Sequence, residues 1–110
     1  MAYKLDRVDE SRQQVWLAFM QAFGSYVEQE GKKADQWRDQ TVYELVRHID
    51  HEVDEIAGNV RRGEPGFGIH NCYDVMSLAA ILHAKLSELA GLQAPVFTPD
   101  RIGVVQLEDS

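Results

Sequence analysis

Apolar residues recur at helical spacing in three stretches of the chain. In the first, from about Asp9 to Glu30, Val15, Trp16, Phe19, Met20, Phe23, Tyr26 and Val27 recur at intervals of three and four. Asp9 and Ser11 suit its N-cap. Gly31-Lys-Lys-Ala-Asp35 then predicts a helix stop and a polar connection.

The second helix carries the clearest start signal. Thr41-Val-Tyr-Glu44 places a hydroxyl at the N-cap and a carboxylate three residues on, the capping-box pattern. An earlier start near Asp35 would put Trp37 on its first turn. Val42, Leu45, Val46, Ile49, Val53, Ile56 and Val60 form one apolar stripe, within roughly 50° of a common direction at 100° per residue. Arg61-Arg62 suits the negative end of the macrodipole, and Gly63 follows as a stop. Three glycines and a proline between Gly63 and His70 predict a loop.

The third helix is expected from about Asn71 to Ala90, ending at Gly91. Cys72, Val75, Met76, Leu78, Ala79, Leu82, Leu86, Leu89 and Ala90 make its apolar face very wide. Such a face predicts burial on more than one side, in a subunit interface as well as the internal core. Pro95 and Pro99 end the helical pattern, and 102–107 reads as a short strand or extended arm. The expectation is an all-α chain, an antiparallel bundle of three to four helices completed by oligomerisation, with a helical domain over 1–91 and a tail over 92–110.

Charge narrows the partners. Acidic residues outnumber basic ones 18 to 11 among 110 residues, for a formal charge of −7. That disfavours nucleic-acid polymers and anionic membranes, both of which reward a basic surface. A small phosphate ligand stays open, because a divalent cation can bridge carboxylates to phosphates. Cys72 is the single cysteine, so neither an intramolecular disulfide nor a multi-cysteine zinc site is possible. With no apolar h-region at the N-terminus and no long apolar run, the expected location is the cytoplasm.

Candidate chemistry lies on the second and third helices. His48, Glu52, Glu55 and Asn59 follow at offsets of four, three and four, on one face at the shoulder of the apolar stripe. Two carboxylates one turn apart repel and raise one another's pKa, and a bound Mg2+ would remove that repulsion. Asn71 and Asp74 share a face of the third helix, and Lys85 continues that side. Antiparallel packing across the loop would let Glu52 and Glu55 face Asp74, a three-carboxylate cluster with an amide at its edge. Carboxylates at helix shoulders are ordinarily solvated charges flanking a core, and that reading stands beside the metal one. A transition-metal site from His48, His51 and Glu55 is a further alternative. The Glu-x-x-His pairs of di-iron bundles, His-Glu-x-x-His, G-x-S-x-G and the P-loop are absent. His83 reads as a core histidine and Cys72 as a small core residue.

His51-Glu52-Val53-Asp54-Glu55-Ile56 resembles the Glu-Glu-x-x-Glu stretch of the MazG-like nucleotide pyrophosphohydrolases. Asn71-Cys72-Tyr73-Asp74-Val75-Met76 resembles their later Glu-x-x-Asp motif, also followed by an apolar helix. Trp37 resembles a tryptophan upstream of the first motif in several members, and the likeness covers about residues 37 to 90. His51 and Asn71 stand where the family has glutamates, so Glu52, Glu55 and Asp74 are the retained acids.

The resemblance implies an all-α fold assembled into dimers or tetramers. It implies Mg2+-dependent (or Mn2+-dependent) cleavage of nucleoside triphosphates to the monophosphate and pyrophosphate. Glu52, Glu55 and Asp74 would hold the metal and serve catalysis, and Asn71 would offer a neutral oxygen. Lys85 and Arg62 would meet the triphosphate tail, Trp37, Tyr73 or Trp16 the base, and His48 is a further substrate-binding candidate. The competing expectation is a non-catalytic helical binding or assembly protein with a degenerate site of this kind.

Overall fold

Four helices form where the pattern changes from apolar periodicity to caps and glycines: α1 (Leu5–Gln29), α2 (Lys33–Asp39), α3 (Val42–Arg61) and α4 (Pro65–Leu89). This computed structural model describes residues 5–91, with side chains from residue 9 onward. No strand occurs among the described residues, and the fold there is all-α. The tail over 92–110 and the strand or arm over 102–107 lie outside the described residues.

The start of α3 is the one the sequence predicts. Thr41 accepts from the Glu44 backbone N–H, and the Glu44 side chain accepts from the Thr41 N–H at 2.8 Å. Those bonds hold the Glu44 carboxyl below its ordinary value. Ahead of it, the expected connection over 31–35 is a connection only in part. Gly31 turns the chain at φ 79°, and α2 begins two residues later. Trp37 therefore sits on α2 and not on the first turn of α3, and it is buried.

The expected loop over 63–70 is largely helix. Gly63 reverses the chain at φ 73°, and Pro65 occupies the first turn of α4. Proline suits that place, since its missing N–H would be unpaired in any helix start and its φ is preset. Gly68 is buried, and a Cβ added there would meet Ile56 Cγ2 at 3.7 Å and Asn59 Cβ at 3.9 Å. The glycine density that reads as a loop is, at this position, close approach of two helices.

α3 and α4 run antiparallel, as Gly68 beside Asn59 and Asn71 beside Glu55 show. α4 also packs on α1 and, more lightly, on α2. Ala34, Trp37, Leu45 and Leu78 form the buried cluster, with Tyr26, Ile49, Ile81 and Leu82 half-buried around it. Part of the broad α4 apolar face is used on two neighbours within the chain, while Ala79, Leu86 and Leu89 stay exposed. On α3 the predicted stripe splits: Leu45 is fully buried, but Val46, Val53 and Val60 stay 46–60% exposed. On α1 the inward face differs from the expected one. Ala22 is buried, with Ala18 and Tyr26 half-buried on the same side, while Val15, Trp16, Phe19, Met20, Phe23 and Val27 point outward. Small side chains let α1 lie close to α4, and that choice turns its large residues out.

Gly68 leaves room for one methyl group at ordinary contact distance. Gly68→Ala is expected to stabilise the fold by about 0.5–1 kcal/mol, the helix cost of glycine. Gly68→Leu is expected to destabilise it by prising α4 from α3. Urea unfolding of the two variants checks this; a destabilising Gly68→Ala would show that the helices cannot yield the methyl its space.

Candidate functional site

The antiparallel register of α3 and α4 brings the acidic positions together. Glu52 is buried and Glu55, one turn later, is exposed. Across from them, the Asn71 side-chain Nδ2 donates to Glu52 Oε2 at 2.7 Å and to Glu55 Oε2 at 2.6 Å. An amide nitrogen has two hydrogens, and each is taken by one carboxylate. The amide expected at the edge of the cluster is at its centre.

Histidines meet the remaining oxygens from the same helix. His48 Nε2 lies 3.6 Å from Glu52 Oε1, and His51 Nε2 lies 3.1 Å from Glu55 Oε1. The His48 ring meets Trp37 edge to face at 6.1 Å, and its Nδ1 lies 3.3–3.4 Å from the Gln40 amide group. A polar chain therefore runs Gln40–His48–Glu52–Asn71–Glu55–His51. Gln40 is the member that sequence reasoning missed, because it precedes the α3 cap and belongs to no face pattern.

Asp74 stands one turn after Asn71, half-buried. Burial first, and the Glu52 carboxylate second, push its carboxyl above the ordinary value of 3.8. His70, Lys33 and His48 pull the other way. Lys33, on α2, has no counterpart in the sequence argument and is brought near by the turn at Gly31.

The other candidates lie elsewhere. Lys85 is eleven residues past Asp74, about 16 Å along α4, and its charge acts on Glu44. Arg62 Nη2 donates to Asn59 Oδ1 at 2.7 Å, about 10 Å of helix beyond Glu55. Trp37 is in the core, and the Tyr73 hydroxyl donates to Gln21 Oε1 at 3.0 Å, toward α1. Trp16 is on the outer side of α1, and Cys72 is half-buried. His83 is exposed, so the expected core histidine is a surface one; the helix turns it away from both neighbours of α4.

Among the described residues, no three His, Cys, Asp or Glu side chains gather closely enough to share one ion. His48 and His51 each face their own glutamate, so they do not form a transition-metal set with Glu55. Mg2+ asks for less: one or two carboxylates, with water and substrate phosphate completing its shell. Glu52 and Glu55 both reach a single atom, the Asn71 nitrogen, and offer hard oxygen donors. That donor set fits a two-carboxylate Mg2+ site.

A cavity of about 490 Å3 lies apart from the acids, between α1, α2 and α4. Phe19, Phe23, Tyr26, Met76 and Ile81 line it, with Arg38 and Lys85 as its charged members. Arg38 is engaged by Asp35, by the Tyr26 hydroxyl and by Glu30 at 3.5 Å. No described helix is long and apolar enough to cross a membrane. No protein family, curated protein or solved structure matches the chain.

The Asp74 shift has a thermodynamic consequence. The folded chain holds this proton more tightly than the unfolded one. The stabilisation is fully present below pH 3.8 and is lost as pH rises through the raised folded value. Asp74→Asn is neutral at every pH. In metal-free buffer its melting temperature should exceed that of the wild type at about pH 7, with the gain shrinking toward about pH 4. A variant that melts lower than the wild type at neutral pH would contradict the burial cost.

Proposed function

We propose that the chain is a Mg2+-dependent nucleoside triphosphate pyrophosphohydrolase, cleaving NTP or dNTP to the monophosphate and pyrophosphate. The observation that carries this reading is the convergence of Glu52 and Glu55 on one point. The resemblance of 51–56 and 71–76 to the MazG-like motifs adds the reaction class. Glu52 and Glu55 would hold Mg2+ (or Mn2+), and Asn71 would turn its amide oxygen to the ion. Such an ion neutralises phosphate oxygens and lowers the pKa of a bound water.

The protein's own part is orientation and proton handling. His48 braces Glu52, and His51 braces Glu55. Asp74, with its raised pKa, is suited to accept the proton of the attacking water. Water adds to one phosphorus, the bridging P–O bond breaks, and pyrophosphate leaves with the bond's electron pair. Of the proposed substrate contacts, His48 touches the acids; Trp37 packs on His48 but is buried, the Tyr73 hydroxyl is turned to Gln21, and Lys85 and Arg62 would require a substrate reaching well beyond the acids. In this reading the chain is a cytoplasmic homodimer or homotetramer, in which partner helices complete the bundle.

One observation favours a second reading, a non-catalytic assembly module. Asn71 already satisfies both glutamates with its two hydrogens, doing without an ion what a cation would do. Pyrophosphate release from a panel of ordinary and modified NTPs and dNTPs, with and without Mg2+, separates the two. The first reading expects metal-dependent release that Glu55→Gln lowers by more than about 100-fold, the scale of a lost metal ligand. Silence across the panel from folded protein supports the second. Asn71→Glu adds a check, since three adjacent carboxylates should lower the melting temperature in EDTA and Mg2+ should restore it.

A further inference from the structure

α1 is apolar on two sides. Ala22 and Tyr26 turn toward the core, and on the opposite side Trp16, Met20, Phe23 and Val27 follow at intervals of four, three and four. These four are 45–58% exposed, as are Val15, Leu17 and Phe19 beside them. From Gln13 to Val27 the helix carries no charged residue at all. A solvated helix face would carry charges, and this spacing is that of a helix-pairing seam. No other element among the described residues covers it.

We propose that this face pairs with the same face of a second copy, with the two α1 helices antiparallel about a twofold axis between Met20 and Phe23. The proposal names the contact behind the homo-oligomer part of the reading above and does not depend on its chemistry.

The first argument is symmetry. Intervals of four, three and four read the same in both directions. Antiparallel copies therefore set Trp16 against the second copy's Val27, and Met20 against its Phe23, with every seam position filled. The second is charge. Asp9, Glu10 and Arg12 lie at one end of the stripe, and Glu28, Glu30 and Lys32 at the other, all exposed. Antiparallel pairing brings Asp9 and Glu10 of each copy toward Lys32 of the other and Arg12 toward Glu28 and Glu30; parallel pairing would set Arg12 on Arg12 and Lys32 on Lys32.

The third is area. At roughly 150–250 Å2 for an aromatic side chain, half-exposure of Trp16, Phe19 and Phe23 leaves about 300 Å2 of apolar surface per copy, and Val15, Leu17, Met20 and Val27, also about half-exposed, add to it toward the ~800 Å2 per partner of a standard interface. The surface continues past Phe19 and Phe23 into the cavity walled by Met76 and Ile81. Gly24 borders the stripe with open space over its Cα, so a second backbone can come close there.

Sedimentation equilibrium of the full chain tests the pairing. The wild type should have at least twice its 12.5 kDa mass. Met20→Glu, at the centre of the seam, should weaken association more than about 100-fold, that is by about 2.7 kcal/mol or more, with helicity unchanged. Val53→Glu, on the exposed row of α3, should keep the mass of the wild type. In a Cys72→Ser background, a Trp16→Cys copy mixed with a Val27→Cys copy should cross-link 16 to 27.

A wild-type monomer overturns the proposal and leaves the acidic site as it stands; if that monomer takes up an apolar dye at the stripe, another occupant covers it. An oligomer that Met20→Glu leaves intact, or that Val53→Glu dissolves, overturns the α1 contact alone. Cross-links of 16 to 16 and 27 to 27 overturn the antiparallel arrangement.

Discussion

The packing of α4 against α3 across the turn at Gly63 sets the register on which the rest depends. Three residues, Arg62 to Glu64, separate the helices, and this short turn returns α4 alongside α3, antiparallel to it. Gly68 against Ile56 and Asn59 fixes how near they lie. Leu45 and Leu78, both without measurable exposure, belong to the cluster that anchors the pair. Nothing in this arrangement tolerates a slip. One residue of shift on α4 rotates its face by 100°, which would carry Asn71 away from both glutamates and Leu78 out of the core.

Within that register, the site is a problem of repulsion solved by hydrogen bonds. Glu52 and Glu55 are one turn apart on α3, and Glu52 has little water around it. Left alone, such a pair would be costly. Asn71 places both hydrogens of one nitrogen between them, and an imidazole meets each outer oxygen. Asp74 has no such donor and bears the residual cost as a raised pKa. A cation entering here would displace the amide hydrogens, so its affinity is the difference between ion binding and the hydrogen bonds given up. Entry of a cation would therefore depend on Asn71 as much as on the two glutamates.

Much of this was legible in the sequence, for identifiable reasons. The capping box at Thr41 and Glu44 is a local pattern with one physical meaning, and it formed as expected. The offsets of four and three that put His48, Glu52 and Glu55 on one face hold in any helix, so their grouping needed no tertiary knowledge. Other features depended on packing that no local pattern encodes. Glycines at 66 and 68 signal a loop in isolation, yet both lie in α4, where Gly68 meets α3 and Gly66 faces open space. Trp37 and Gln40 reach His48 because α2 breaks from α3, which their own sequence does not announce. The inward face of α1 was misjudged because the larger residues dominate the periodicity, while Ala18 and Ala22 make the closer fit.

That misjudged face leads to a broader constraint. A chain with 45% hydrophobic residues buries few of its large side chains completely in the described part, Leu45 and Leu78 among them. α4 has neighbours on two sides and buries its middle against them, leaving Phe67, Ile69, Leu86 and Leu89 exposed toward its ends. α1 and α3, on the outside of α4, each have one side against it and one side without cover. Apolar residues persist on both of those outer sides, as Trp16, Met20, Phe23 and Val27 on α1 and as Val46, Val53 and Val60 on α3. A helix that is apolar all round is stable in water only when it is surrounded. Those outer sides stay open to solvent in a single copy, whereas the acidic site, with Glu52 buried at the junction of α3 and α4, is built by two helices of that copy.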